Sequence, residues 1–230
     1  MTVLRSQHGV VSLAQLRGLG LSDSGTRSRK WRSRLRRIDR GVYAVTPGPL
    51  GREGTWMAAV LACGHGASLS HSSAAQARGF MPGTNVWVDV TVPTPGRRAR
   101  TGIIVHTTRS LSPADVGAID RIPCTSPSRT LVDLAEAVEL RPLRRAVERA
   151  DSLGLLDLWL IRETLGRLPG RHGHRRLGQV LAAYAGPSGT RSELEQRFLE
   201  LMHATAGCTW PATRRCASPG TTSRGRPRRP

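Results

Sequence analysis

The chain has 230 residues, 38% of them hydrophobic and 4% aromatic, with a formal charge of +19. That length holds one large domain or two small ones, with enough apolar content for a core. No run of about 18 apolar residues is present, which argues against a membrane-spanning helix, and the few aromatics argue against single-strand binding by base stacking.

Lys30 is the only lysine among 35 basic residues, a bias that a GC-rich coding sequence produces. Total charge alone therefore overstates the case for a nucleic-acid binder. Its distribution says more. Residues 1–48 carry ten basic and two acidic groups, net +8, and residues 208–230 carry six Arg and no acid, net +6. The 159 residues between them carry the remaining +5. The first 20 residues lack the continuous apolar stretch and small-residue site of a secretory signal. Cys63, Cys124, Cys208 and Cys216 form no C-x-x-C pair and have no zinc spacing. Reduced thiols in a cytoplasmic protein are expected, with no cofactor and no metal.

In chain order, Ser12 with Gln15 three residues on forms a capping box for a first helix, with Leu13, Leu16 and Leu19 as its apolar face. Gly18 and Gly20 end it. Ser22 caps a second helix with Asp23 in its first turn, running to about Arg34. Its inward stripe is Leu21, Gly25, Ser28, Trp31 and Leu35, which leaves Arg27, Lys30 and Arg34 on the opposite side. Leu35–Ile38 and Gly41–Val45 read as a hairpin turning at Asp39–Arg40. A basic helix after a tight turn, followed by a hairpin, has the form of a recognition helix and its wing. The expected DNA contacts are Arg27, Arg29, Lys30 and Arg34 from the helix and Arg36, Arg37 and Arg40 from the hairpin. A solvated basic helix with no partner is the competing reading.

The stretch from His8 to Val45 resembles the N-terminal winged helix of the abortive-infection type IV toxin–antitoxin antitoxin family (AbiEi-like). The matching pieces are Gly9–Leu16, Gly20–Ser22 and Arg40-Gly41-Val42-Tyr43, the last being the most specific. "GASLSHSSAA" extends the resemblance to about residue 185. The resemblance implies sequence-specific binding to double-stranded DNA, often at the promoter of the protein's own gene pair. It also implies an antagonist role towards a nucleotidyltransferase-like toxin without a stable complex.

In the middle, residues 52–80 predict two helices, the first with a stripe of Trp56, Met57, Val60 and Leu61, the second capped by Ser70. Ser70-His71-Ser72 is not expected to be catalytic: adjacent helical residues do not face one another, and no G-x-S-x-G elbow surrounds them. A half-buried His71 at a capped helix start is the expectation. "VWVDVTVP" alternates as a half-buried strand, with Val86, Val88, Val90 and Val92 on one face and Trp87, Asp89 and Thr91 on the other. "GIIVHTT" is its expected partner across the Pro95-Gly96 turn region, with His106 structural. "IPCTSPSRTLVDLAEAV" reads as a turn and then a helix capped by Ser126, with Pro127 at its first position. Leu131, Leu134, Ala135 and Val138 form its buried face. Three more helices follow, on Leu143/Ala146/Val147/Ala150, on Leu158/Ile161/Leu165, and on Leu177/Val180/Leu181/Tyr184. His172 and His174 flank Gly173 with no evident third metal ligand.

Residues 189–207 form an amphipathic helix pattern through Leu194, Phe198, Leu201 and Met202, with Glu193 and Glu195 in its first turn. This helix resembles the opening of a very-short-patch-repair-like endonuclease domain, which implies Glu195 as one metal-binding carboxylate. No Asp or Glu follows Glu200, so such a site is truncated; several converging oxygens are needed to hold a catalytic divalent ion. Residues 208–230 have the composition of a disordered basic tail. A shifted reading frame over Cys216–Ser223 is one expectation, to be checked on the nucleotide sequence.

The expected architecture is α+β, mostly α: a winged helix-turn-helix over 1–48, a helical middle over 49–185 with a small β-hairpin or sheet near 86–92 and 103–107, a single helix over 186–207, and the tail. The expected function is a DNA-binding, antitoxin-like transcriptional regulator that is not an enzyme. The alternative is a truncated, inactive endonuclease-like protein.

Overall fold

The computed structural model describes residues 7–20, 35–45, 47–83, 86–93, 100–109 and 111–184. The chain divides into two units, Met1–Gly186 and Pro187–Pro230, and all the described residues belong to the first. Their architecture is α+β, with seven helices and two small sheets. The amphipathic helix and tail expected beyond residue 186 lie outside the described residues, as does the helix expected over 22–34.

Strand β1 (Val10–Ser12) leads directly into helix α1 (Leu13–Gly18). Ser12 Oγ accepts from the Gln15 amide, and the Gln15 side chain accepts in return from the Ser12 amide, the expected capping box. Strands β2 (Arg36–Asp39) and β3 (Val42–Ala44) form the expected hairpin. Gly41, with φ +76°, supplies the left-handed residue that its turn needs. The three strands pair antiparallel in the order β1-β3-β2. Val11, Leu16 and Leu35 pack under this small sheet, with Tyr43 and Val45 against them.

Helix α2 (Arg52–Cys63) buries Trp56, Met57 and Val60 as expected. It then crosses a short strand, β4 (Ser68–Leu69), into helix α3 (His71–Ala77). Strands β5 (Val88–Val92), β6 (Ile103–Thr107), β7 (Val116–Ile119) and β8 (Ile122–Thr125) complete a five-stranded sheet ordered β6-β5-β4-β8-β7. Helix α4 (Pro127–Ala137) follows β8, capped by Ser126 as expected. Helices α5 (Leu140–Ser152), α6 (Leu158–Arg167) and α7 (Gly173–Tyr184) complete the unit.

The second sheet is larger than expected, and three details differ. First, β5 and β6 pair parallel, Val88 beside Ile103 through Val92 beside Thr107, and not as a hairpin. Gly102, at φ +77°, precedes Ile103, which lies beside Val88 at the start of β5 and runs in the same direction. Second, β5 begins at Val88; Val86 and Trp87 are 88% and 53% exposed. All five β5 residues are buried, because α2 covers one face and α3 the other. Third, Ile122–Thr125 is a strand rather than a turn. Its four residues pair antiparallel with β7, and Cys124 pairs parallel with Leu69 of β4.

One apolar cluster joins Val10 and Val42 of the N-terminal sheet to α2 and to Val88, Val90 and Val92 of β5. A second lies among α4, α5, α6 and α7, built on Leu131, Leu134, Leu143, Val147, Ile161 and Leu177. Gly173 permits the α4–α7 approach: a Cβ there would lie 2.7 Å from the Ala135 carbonyl carbon. Arg176 Nη1 then donates to the Ala135 and Val138 carbonyls at 2.9 and 2.6 Å, satisfying the exposed end of α4. No helix among the described residues is long and apolar enough to cross a membrane.

Candidate functional site

Of the expected DNA contacts, Arg27, Arg29, Lys30 and Arg34 lie outside the described residues. Arg36, Arg37 and Arg40 are all exposed on the β2–β3 hairpin. The hairpin is anchored from below, with Val42 and Ala44 1% and 0% exposed. Arg37 lies across from Tyr43, on the face away from Val42 and Ala44, whereas Arg36 lies across from Ala44 at the open end of the hairpin. Arg36 Nη2 donates to the Gly48 carbonyl at 2.8 Å, which holds that side chain along the hairpin's base. Arg37 and Arg40 have no carboxylate partner among the described residues. The one acid of the hairpin, Asp39, is paired with Arg100 at 2.7 Å. The outer surface of the hairpin thus presents guanidinium groups whose local counter-charge is already engaged elsewhere.

A second cluster was not legible in the sequence. Because side chains alternate along a strand, Val88, Val90 and Val92 take the apolar face of β5 while Asp89 and Thr91 point to the other. Thr91 stands beside His106 in the register. That second face is buried but polar. Asp89 Oδ1 lies 2.9 Å from His106 Nε2, and the Asp89 amide donates to Ser73 Oγ at 2.9 Å. The His106 ring stacks on His71 with centroids 3.6 Å apart and planes 19° from parallel. Stacked rings aim their nitrogens in separate, near-parallel planes, so they do not converge on one ion. No group of three His, Cys, Asp or Glu among the described residues is placed to hold a metal.

His71 itself departs from expectation. It is 5% exposed, not half-buried. Its φ is +46°, in the left-handed region, at the turn from β4 into α3. A non-glycine residue there costs on the order of 1–3 kcal/mol and persists only when its surroundings hold it. Ser70 makes no capping bond to the α3 backbone; its hydroxyl instead lies 3.0 Å from His71 Nδ1. Burial, then the His106 ring, pulls the His71 pKa from 6.5 down to about 3. Asp89 opposes that shift, while Arg171 and Arg129 reinforce it. At neutral pH His71 is an uncharged imidazole.

Behind this layer runs a chain of ion pairs. Arg129 on α4 is fully buried and reaches Asp133 one turn on at 2.9 Å and Asp115 at 3.5 Å. Arg171 joins Asp133 at 2.8 Å, and Arg167 joins Asp115 at 2.9 Å. Burial pushes the Asp115 carboxyl upward, but hydrogen bonds from Arg167 and Ser112 outweigh it and hold the group below its usual range. The signal available was an Arg and an Asp four apart in a helix that also carries Leu131, Val132, Leu134 and Ala135, a spacing that also describes a solvated pair.

Cys63 and Cys124 are buried free thiols, and burial raises the Cys124 pKa to about 11, so that sulfur is unreactive. Cys208 and Cys216 lie outside the described residues, as does Glu195. His174 falls within α7, with its pKa lowered by burial and then by Arg171.

No protein-family model matches the chain, and no curated protein matches it. The fold is similar to the crystal structure of the RV2827C protein from Mycobacterium tuberculosis, across 81% of this chain and 76% of that one. The TM-score is 0.51 and the sequence identity 16%, a likeness of fold.

Proposed function

We propose that the chain is a cytoplasmic, duplex-DNA-binding transcriptional regulator, antitoxin-like, with its N-terminal module as the DNA reader. The observation that carries this reading is the hairpin. Its strand order, β1-β3-β2 with a capped helix after the first strand, is the one a wing sheet has. Its arginines face solvent while its valine and alanine are buried. Arg36, Arg37 and Arg40 reach phosphates or the minor groove, and Arg27, Lys30 and Arg34 read the major groove. The concentration of charge in residues 1–48 supports the same division of labour. A nucleotidyltransferase-like toxin encoded nearby is the partner this role implies, acting without a stable complex.

The test is footprinting on the DNA upstream of the protein's own gene. A short protected inverted repeat is expected, with no strand cleavage in Mg²⁺. Uniform, sequence-independent protection would remove the regulator. Mg²⁺-dependent cleavage lost in Glu195→Ala would replace it with the nuclease reading.

A further inference from the structure

Between the N-terminal sheet and the start of β5 lies a cleft of about 190 Å³. It exists because three small residues meet there: Ala58 and Ala59 on α2, and Gly102 before β6. Ile38 and Ile103 line it with aliphatic surface, and both belong to the rim of the shared apolar cluster. Val86, at the mouth, is 88% exposed. An apolar side chain standing free beside an apolar hollow is positioned to close over something seated in it.

One charged group lines the cleft: Asp39, at the base of the hairpin turn. Its donors within the described residues are Arg100 Nη1 at 2.7 Å and the Arg40 amide at 2.5 Å, and both go to Oδ1. Oδ2 accepts from neither, and among the described residues no other donor reaches it; the Asp39 side chain is 27% exposed, so water meets this oxygen until a ligand displaces it. Its charge is already balanced by Arg100, so a ligand need bring a hydrogen-bond donor and no net positive charge. The volume fixes the size. Apolar cavities of roughly 150 Å³ hold one benzene ring. A full drug-sized pocket is larger, from about 300 Å³ upward.

We infer that this cleft is a binding site for a single-ring aromatic compound carrying one hydrogen-bond donor, a phenol or an aniline, with the ring between Ala59 and Ile103 and the donor on Asp39. The site lies at the foot of the hairpin proposed as a wing. Its test uses no DNA, so it stands or falls apart from that proposal.

The experiment is titration of the full-length protein with phenol, toluene and benzoate, followed by ligand-observed NMR. Phenol is expected to bind saturably. Toluene, which lacks the donor, is expected to bind roughly tenfold more weakly, and benzoate, which brings a second acceptor to Asp39 Oδ2 and would have to desolvate its charge in an apolar cleft, not measurably. Asp39→Asn is expected to bring phenol close to toluene. Ala59→Leu fills the hollow from the core side and Thr101→Phe from an exposed lining position. Either is expected to abolish phenol binding, and the exposed site keeps the test valid if the core variant misfolds. No saturable phenol binding, equal binding of phenol and toluene, or unchanged binding in folded Thr101→Phe would each overturn the inference.

Discussion

Replacing Arg129 with Met is expected to destabilise the fold by about 3–5 kcal/mol, the usual cost of removing one partner from a buried ion pair. The Arg129 and Asp133 side chains are 0% exposed and Asp115 is 1% exposed, so no water takes over when the cation leaves. Asp115 keeps Arg167 and Asp133 keeps Arg171, but both of those arginines reach in from partly exposed positions. The asymmetry between breaking a pair and removing it gives a second, sharper result. Arg129→Met combined with Asp133→Leu is expected to be more stable than Arg129→Met alone, because the buried carboxylate left with only the partly exposed Arg171 is gone. Arg171 then retains Glu136 at 3.7 Å and its own contact with solvent. Denaturant midpoints of the three proteins decide it. A single variant within about 1 kcal/mol of the parent would mean that the network is not the electrostatic centre of this half of the fold.

Acid is expected to weaken the fold through His71. Its folded pKa, about 3, lies below the unfolded 6.5, so the unfolded chain binds the extra proton in that window. The stabilising contribution is therefore complete above pH 6.5 and is lost as pH falls towards 3. The slope is about 1.4 kcal/mol per pH unit for one proton. The groups bearing on the ring are His106, Asp89, Arg171 and Arg129, and no carboxylate touches it directly. Asp115 adds a further loss at lower pH, since its folded pKa is depressed and its contribution disappears as it protonates. His71→Asn separates the two. Asn tolerates the left-handed backbone that His71 adopts, and it does not titrate. The variant's stability is expected to be nearly flat between pH 6.5 and 5 while the parent's falls. Parallel pH profiles for the two proteins would show that His71 is not the group responsible.

Local signals were legible where one neighbour decides the structure. The Ser12–Gln15 box and the Ser126 cap with Pro127 each depend on residues within four positions, and each is found where its pattern places it; the hairpin turn falls at Arg40–Gly41, one residue beyond the expected Asp39–Arg40. The apolar stripes of α5, α6 and α7 were legible for the same reason: one face meets the core. The second sheet was not. Asp89 and Thr91 alternate with valines, which in isolation means a solvated face. Here α3 covers that face, and the buried Asp89 carboxylate is tolerated because His106 meets it, while its amide donates to the Ser73 hydroxyl. Ser70 before a helix normally caps it, yet the positive φ of His71 turns the hydroxyl to the imidazole instead. Long-range partners of this kind leave no periodic trace.

We propose that the exposed arginines of the N-terminal module grip duplex phosphates. Titrating a labelled duplex carrying the protected repeat, across a series of salt concentrations, measures this directly. The log of affinity is expected to fall linearly with the log of salt, by about 0.9 for each neutralised phosphate. Arg37→Ala with Arg40→Ala is expected to lower that slope by up to about 1.8 while leaving the denaturation midpoint unchanged. Arg27→Ala, Lys30→Ala and Arg34→Ala together are expected to abolish binding. An affinity and a salt slope unaltered by either set of substitutions, in proteins that remain folded, would mean that these arginines do not hold the duplex.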